Sequence, residues 1–212
     1  MTPSEAEITA QLYADGGGGP LDPLVVFDTW LAEARKTEPA DAEAMALATV
    51  DAEGMPDCRI VLLKARTEAG FTFYTNTRSV KGAELAAVPR AALNFHWKSL
   101  GRQVRIRGTA VPVAAAVADA YFASRPRGSQ IGAVASDQSR PLDARQTLAE
   151  RFGAAERRFA GQEVPRPDYW SGYTVDPAAI EFWRNSEFRL HDRVLFTRAA
   201  PDAPWTRRRL YP

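Results

Sequence analysis

Cysteine and histidine are nearly missing from this 212-residue chain: Cys58 stands alone, and His96 and His191 are its two imidazoles. One cysteine cannot close an intrachain disulfide. The set excludes a cysteine-rich zinc site and argues against a histidine metal cage. A surplus of one charge is lacking too, since 27 Lys and Arg face 26 Asp and Glu. Such a balance creates no global field for nucleic acid or lipid headgroups, so any anion binding must come from local clusters. No apolar run approaches a membrane span. The acidic N-terminus has neither the basic nor the apolar region of a secretory signal. A soluble, cytoplasmic protein is the expectation. What is present is ordinary: 45% hydrophobic and 25% charged residues suit one globular domain with a real core.

Residues 1–20 end in four glycines and a proline, which predicts a flexible N-terminal segment. Order is expected from residue 21 to residue 212, as a single domain. Asp22 and Pro23 suit the start of a helix, and Leu24, Phe27, Trp30 and Ala34 recur at helical spacing to about Lys36. Strands are predicted over 45–50, 59–64, 71–75, 91–97 and 103–113, with turns at 51–54 and 67–70. The strand at 59–64 reads as buried. A short helix over 79–88 would start at Ser79 and stop before Pro89. Helices are expected over 114–124 and 142–159, then strands over 169–175, 180–184, 193–197 and 207–210. Short strands joined by tight turns imply a mainly β, antiparallel α+β fold, most simply a small closed or partly open barrel with flanking helices.

Four clusters carry chemistry. Arg59 and Lys64 bracket the apolar run RIVLLK (59–64). Both side chains could snorkel to solvent, or both could face a cleft and hold an anion. Ser79 and Lys81 open a helix, where free N–H groups and the dipole favour an anion, although an ordinary cap reads the same way. Tyr121 and Arg125 are four apart, with Ser129 following. A phenol, a guanidinium and a hydroxyl suit a phosphate, and a stacked surface pair fits the spacing equally. In RLHDR (189–193), an extended chain would point Arg189, His191 and Arg193 the same way, with Glu187 in phase to neutralise part of the charge. Trp183 reads as core on its composition alone. No Ser–His–Asp ordering and no metal-ligand spacing appears, so hard chemistry would need a borrowed cofactor.

These segments together resemble the pyridoxamine 5'-phosphate oxidase family. The likeness runs from Asp22 to Pro212 through DPLVVFDTWL, ATVDAEGMPDCRIVLLK, FYTN, the strand at Gln103, YFASRPRGSQIGA, SDQS, EFWRN, RLHDR and the closing RRLYP. It implies an FMN-binding split β-barrel, antiparallel and Greek-key-like, forming a homodimer with FMN at the interface. By matching positions, FMN would be held by Arg59, Ile60, Val61, Leu62, Leu63, Lys64, Tyr74, Thr75, Lys81, Gln103, Gln138, Ser139, Trp183 and Arg193. The substrate phosphate would meet Lys64, Tyr121, Arg125 and Ser129. Arg189, Leu190 and His191 would lie at the pyridine ring, with Arg189 and His191 as the catalytic pair and Asp41 nearby. The implied reaction oxidises pyridoxamine or pyridoxine 5'-phosphate to pyridoxal 5'-phosphate. A hydride passes from C4' to flavin N5, and O2 is reduced to H2O2.

Three positions depart from the family's pattern. Val80 stands where a second base usually flanks the lysine of the FMN phosphate, with Arg78 close by, which implies weaker FMN binding. Tyr13 remains in the N-terminal segment without the usual arginines, which bears on closure over the site. Phe188 replaces a common polar residue beside Arg189. Two rivals stand beside the oxidase: an FMN oxidoreductase of another aromatic substrate, such as a phenazine precursor, and a non-catalytic flavin- or pyridoxal-phosphate-binding protein. The intact SRPRGS run speaks against the first, and the complete RLHDR run against the second.

Overall fold

The computed structural model describes residues 4–14 and 19–212. Helix α2 (Pro23–Thr37) starts as its sequence dictates. Asp22 is the N-cap, its carboxylate accepting the Leu24 N–H, and Pro23 occupies the first turn. Its apolar stripe drives Phe27 and Trp30 into the concave side of a curled antiparallel sheet. Phe27 meets the edges of Phe71 and Phe95 at 4.8 and 5.0 Å between centroids, and Trp30 meets Phe182 at 5.2 Å.

The strands are β1 (Ala44–Val50), β2 (Pro56–Leu62), β3 (Ala65–Thr67), β4 (Gly70–Asn76), β5 (Arg90–Trp97), β6 (Arg102–Pro112), β7 (Trp170–Arg184), β8 (Asp192–Thr197) and β9 (Thr206–Arg209). They run in the order β2-β1-β5-β6-β7-β4-β3, and β8 and β9 extend from β7. Strand β7 organises the whole: one edge pairs with β6, while the other pairs first with β4 and then with β8. The sheet is a half-barrel of the split-barrel kind, flanked by six helices among the described residues.

Three expectations are corrected. The run 169–184 is one strand, not two. Its irregularity sits where the register slips between Arg107 and Gly108, leaving Ala178 unpaired beside Pro177, which has no N–H to give. Gly108 is required there, since a Cβ would lie 1.9 Å from the Asp176 carbonyl. Strand β2 is not buried. It is the sheet's edge, paired with β1 alone, and Ile60 is 67% exposed. Within the segment expected to be flexible, α1 (Glu5–Leu12) is capped by a Ser4–Glu7 box and buries Ile8 and Leu12. The charges of Arg102 and Arg209 hold it, through Glu5 and the Tyr13 carbonyl at 2.7 Å each. The glycine run 16–18 lies outside the described residues. Helix α4 (Ala115–Ser124) stops just before Pro126, which caps a further helix that the sequence reading did not foresee, α5 (Arg127–Ala135), ahead of α6 (Arg145–Arg158).

Helices α4, α5 and α6 close over a second, smaller core made of Phe122, Ile131, Ala155, Phe159, Val164 and Trp170. The seam between this core and the barrel is where the site forms.

Candidate active site

One cavity of about 750 Å³ opens at that seam. From β2 and the bend after it come Arg59, Ile60, Val61, Leu62 and Lys64. Strand β4 supplies Tyr74 and Thr75, and the start of α3 (Val80–Ala87) supplies Lys81. Tyr121 near the end of α4, Arg125 just beyond it, Ser129 on α5 and Gln138 in the following loop complete the set. Residues separated by up to 111 positions in sequence, counting Trp170, thus share one wall, with Lys64, Arg125 and Ser129 among them.

The cavity has two cationic ends. At the first, Ser79 caps α3 by accepting the Gly82 N–H and donates its hydroxyl to the Asn76 carbonyl at 2.6 Å. This turns Lys81 inward, where its Nζ lies 3.4 Å from Gln138 Oε1. Burial, followed by the nearby charge of Arg59, pushes the Lys81 amine below its ordinary range. Arg59 is pinned by Thr49, by Asp57 at 2.6 Å and by Glu84 at 3.1 Å. At the second end, the Arg125 guanidinium lies 4.9 Å over the Trp170 ring. Burial lowers its pKa, and its Nη1 is enclosed with no hydrogen-bond partner. A buried, unpaired guanidinium nitrogen is costly unless a ligand oxygen meets it. Tyr121 and Tyr74 stack at 4.0 Å and 13°, and Tyr74 stacks on Trp170 at 5.2 Å. The stack leaves the phenol of Tyr121 with little freedom. Burial raises its pKa, keeping it a donor.

A second group does not line this cavity. Leu63 turns inward and is 4% exposed, so it offers no side chain to a ligand there. Gln103, Trp183 and Arg193 sit in register across β6, β7 and β8. Arg193 is bound by Glu181 at 2.9 Å and donates to the Tyr211 carbonyl. His191 packs 4.6 Å from Trp183, with its Nδ1 accepting the Ser186 N–H, and lines a separate cavity of about 310 Å³ with Leu190 and the C-terminal residues. The extended reading of RLHDR is corrected. Arg184 pairs with Asp192, so 185–191 is a hairpin loop in which Phe188 and Arg189 adopt left-handed φ of 54° and 65°. Arg189 therefore does not alternate in phase with His191 and Arg193. Ser139, also left-handed at φ 70°, stands beside Gln138 without lining the cavity. Arg78 pairs with Asp168 at 2.9 Å and stacks over Tyr169, so it does not take the place that Val80 leaves. Asp41, with φ 26°, lines a neighbouring polar cavity that shares Lys64 with the first.

Sequence reading missed Asn76, Gly132, Ala133, Ser136 and Trp170 on the cavity wall. Trp170 is the most consequential, and its only signal is an aromatic at a strand's start.

Comparison with known proteins narrows the class. Among solved structures, the chain resembles PhzG from Burkholderia lata 383, in complex with tetrahydrophenazine-1-carboxylic acid. That match has a TM-score of 0.86 and 30% identity, over 94% of this chain and 96% of the other. An FMN-binding protein from Nostoc punctiforme related to pyridoxamine 5'-phosphate oxidase shares the fold, at TM-score 0.71 and 16% identity, over 91% and 98% of the two chains. The fold and the site thus define a split-barrel protein of this structural class. Residues 31–157 match the pyridoxamine 5'-phosphate oxidase family, and residues 170–212 match the pyridoxine 5'-phosphate oxidase C-terminal dimerisation region, which supports a homodimer. Proteins named pyridoxine/pyridoxamine 5'-phosphate oxidase are 59% identical in Sphingopyxis alaskensis, over 90% of this chain and 88% of that one, and 53% identical in Nitrobacter winogradskyi, over 96% of each. The chain belongs to the pyridoxamine 5'-phosphate oxidase family.

Proposed function

We propose that the cavity is one half of an active site that oxidises pyridoxamine or pyridoxine 5'-phosphate to pyridoxal 5'-phosphate with FMN, within a single functional domain spanning 21–212. The observation that carries this reading is the pair of cationic ends in one cavity, one of them ending in an unpaired buried guanidinium nitrogen. Arg59, Lys81, Thr75 and Gln138 suit the FMN phosphate and its ribityl hydroxyls. One side of β2 from Arg59 to Leu62 pairs with β1, and the N–H and C=O groups on its other, unpaired side remain available to a flavin ring. Lys64, Tyr121, Arg125 and Ser129 suit the substrate phosphate. Bound there, FMN would supply a hydride acceptor for C4', with O2 as the final oxidant and H2O2 as its product.

The chain's own contribution is placement. Arg125 supplies a planar fork for phosphate oxygens, and the aromatic stack fixes Tyr121 as a directional donor. Together they hold the substrate by its remote end, so that C4' is presented at one position. Gln103, Trp183, Arg189, Leu190, His191 and Arg193 belong to the half of the site that a second copy brings, while Ser139 stands beside Gln138 of the first half. Arg189 and His191 then bear on the pyridine ring, and Arg189 acts as a fixed cation because a guanidinium hardly deprotonates.

Anaerobic addition of pyridoxine 5'-phosphate to the purified flavoprotein should bleach the oxidised-flavin absorbance. An unbleached spectrum with FMN bound contradicts the oxidase reading and favours a carrier. The phenazine-type alternative gains nothing from the cavity, whose substrate end is built around a phosphate-shaped set of donors.

A further inference from the structure

The cations that the Arg59 end presents to the cavity already have carboxylate counter-charges behind them. Two cations, Arg59 and Lys81, stand against two carboxylates, Asp57 and Glu84, and both carboxylates act on Lys81 as well as on Arg59. The two acids are not equivalent. Glu84 is 9% exposed at its side chain and also accepts the Thr49 hydroxyl, so it is part of the frame that holds Arg59. Asp57 is 54% exposed. It projects from the same side of edge strand β2 as Arg59, two residues away. One of its oxygens accepts the Cys58 N–H at 2.7 Å, and the other accepts from Arg59 Nη2 at 2.6 Å, the nitrogen that also reaches Glu84.

A phosphate monoester carries close to two negative charges at neutral pH and seeks the same guanidinium. Asp57 and the phosphate cannot both hold it without like-charge repulsion. Glu84 cannot yield, being buried; Asp57 can turn into water at small cost. Resting on the assignment of this end to the FMN phosphate, we propose that Asp57 is an internal stand-in for that phosphate, displaced when the cofactor binds, and that it sets the affinity for FMN.

The test is a fluorescence titration of the apoprotein and its Asp57→Asn variant with FMN and, in parallel, with riboflavin, which lacks the phosphate. Asparagine retains an oxygen for the Cys58 N–H and removes the charge. At low ionic strength the variant should bind FMN about fivefold more tightly, in line with the loss of one exposed ion pair. It should bind riboflavin as the unaltered chain does, and the gain should shrink as salt is added. Unchanged FMN affinity, or equal tightening for riboflavin, overturns the inference alone. Failure of the unaltered chain to bind FMN overturns the assignment of the cavity and this inference with it.

Discussion

At the scale of single residues, Arg125 shows how a weak sequence signal becomes a strong structural one. Spacing alone allowed a Tyr–Arg surface pair, and the structure does stack aromatic rings there. Yet Arg125 lies against Trp170, which is 45 positions away, with one nitrogen enclosed and unpaired. Arg125→Ala should therefore raise KM for the phosphorylated substrate about tenfold or more, with a smaller effect on kcat, because a charge-assisted contact to a remote group is lost. Steady-state kinetics would show it, and an unchanged KM would remove Arg125 from the phosphate site. Arg189→Lys should behave in the opposite way, lowering turnover strongly while FMN retention holds, because Lys cannot reproduce the guanidinium fork. Equal loss of flavin and rate would mean that Arg189 is misplaced. The cations of the cavity were legible because Arg and Lys in apolar surroundings are conspicuous. Glu84 and Asp57 were not, because their meaning depends on a helix and a strand meeting at Arg59, and no local pattern encodes that meeting.

At the scale of elements, the strong periodicities of α2 and the barrel strands were readable, and the structure forms them. What was not readable depended on tertiary context. The alternation of 169–184 breaks at Pro177, yet β6 on one side and β4 and β8 on the other hold the whole run as one strand across the break. The apolar run of 59–64 suggested burial, whereas its place at the sheet edge leaves Ile60 bare. Helix α1 is too short to stand alone and takes its order from packing on α2 and from arginines near the other end of the chain. Because Ile8 is buried in that packing, Ile8→Ala should cost about 2–4 kcal/mol, as for other large-to-small core changes. Chemical denaturation would measure it, and a change below about 0.5 kcal/mol would return the segment to a loose tail.

At the scale of the molecule, the residues matched to the proposed site fall into two groups within one protomer. The first lines the cavity at the seam of the two cores. The second lies across β6, β7, β8 and the hairpin between β7 and β8, largely within the region matched to a dimerisation module. Exposed Ile60 beside the first set, and Phe188 and Leu190 beside the second, are the kind of apolar surface that a second copy covers. Residue matching assigns the two groups to one site, and the proposed function divides that site between two copies. That division was beyond the reach of sequence periodicity, because symmetry between copies leaves no periodic trace.

Co-expression of differently tagged Arg125→Ala and Arg189→Ala chains, followed by purification of the mixed dimer, tests this division directly. Each homodimer should be nearly inactive. The mixed dimer carries one site with both defects and one with neither, so it should recover about half the oxidase rate of the unaltered dimer. A mixed dimer as inactive as its parents would contradict a site shared between copies.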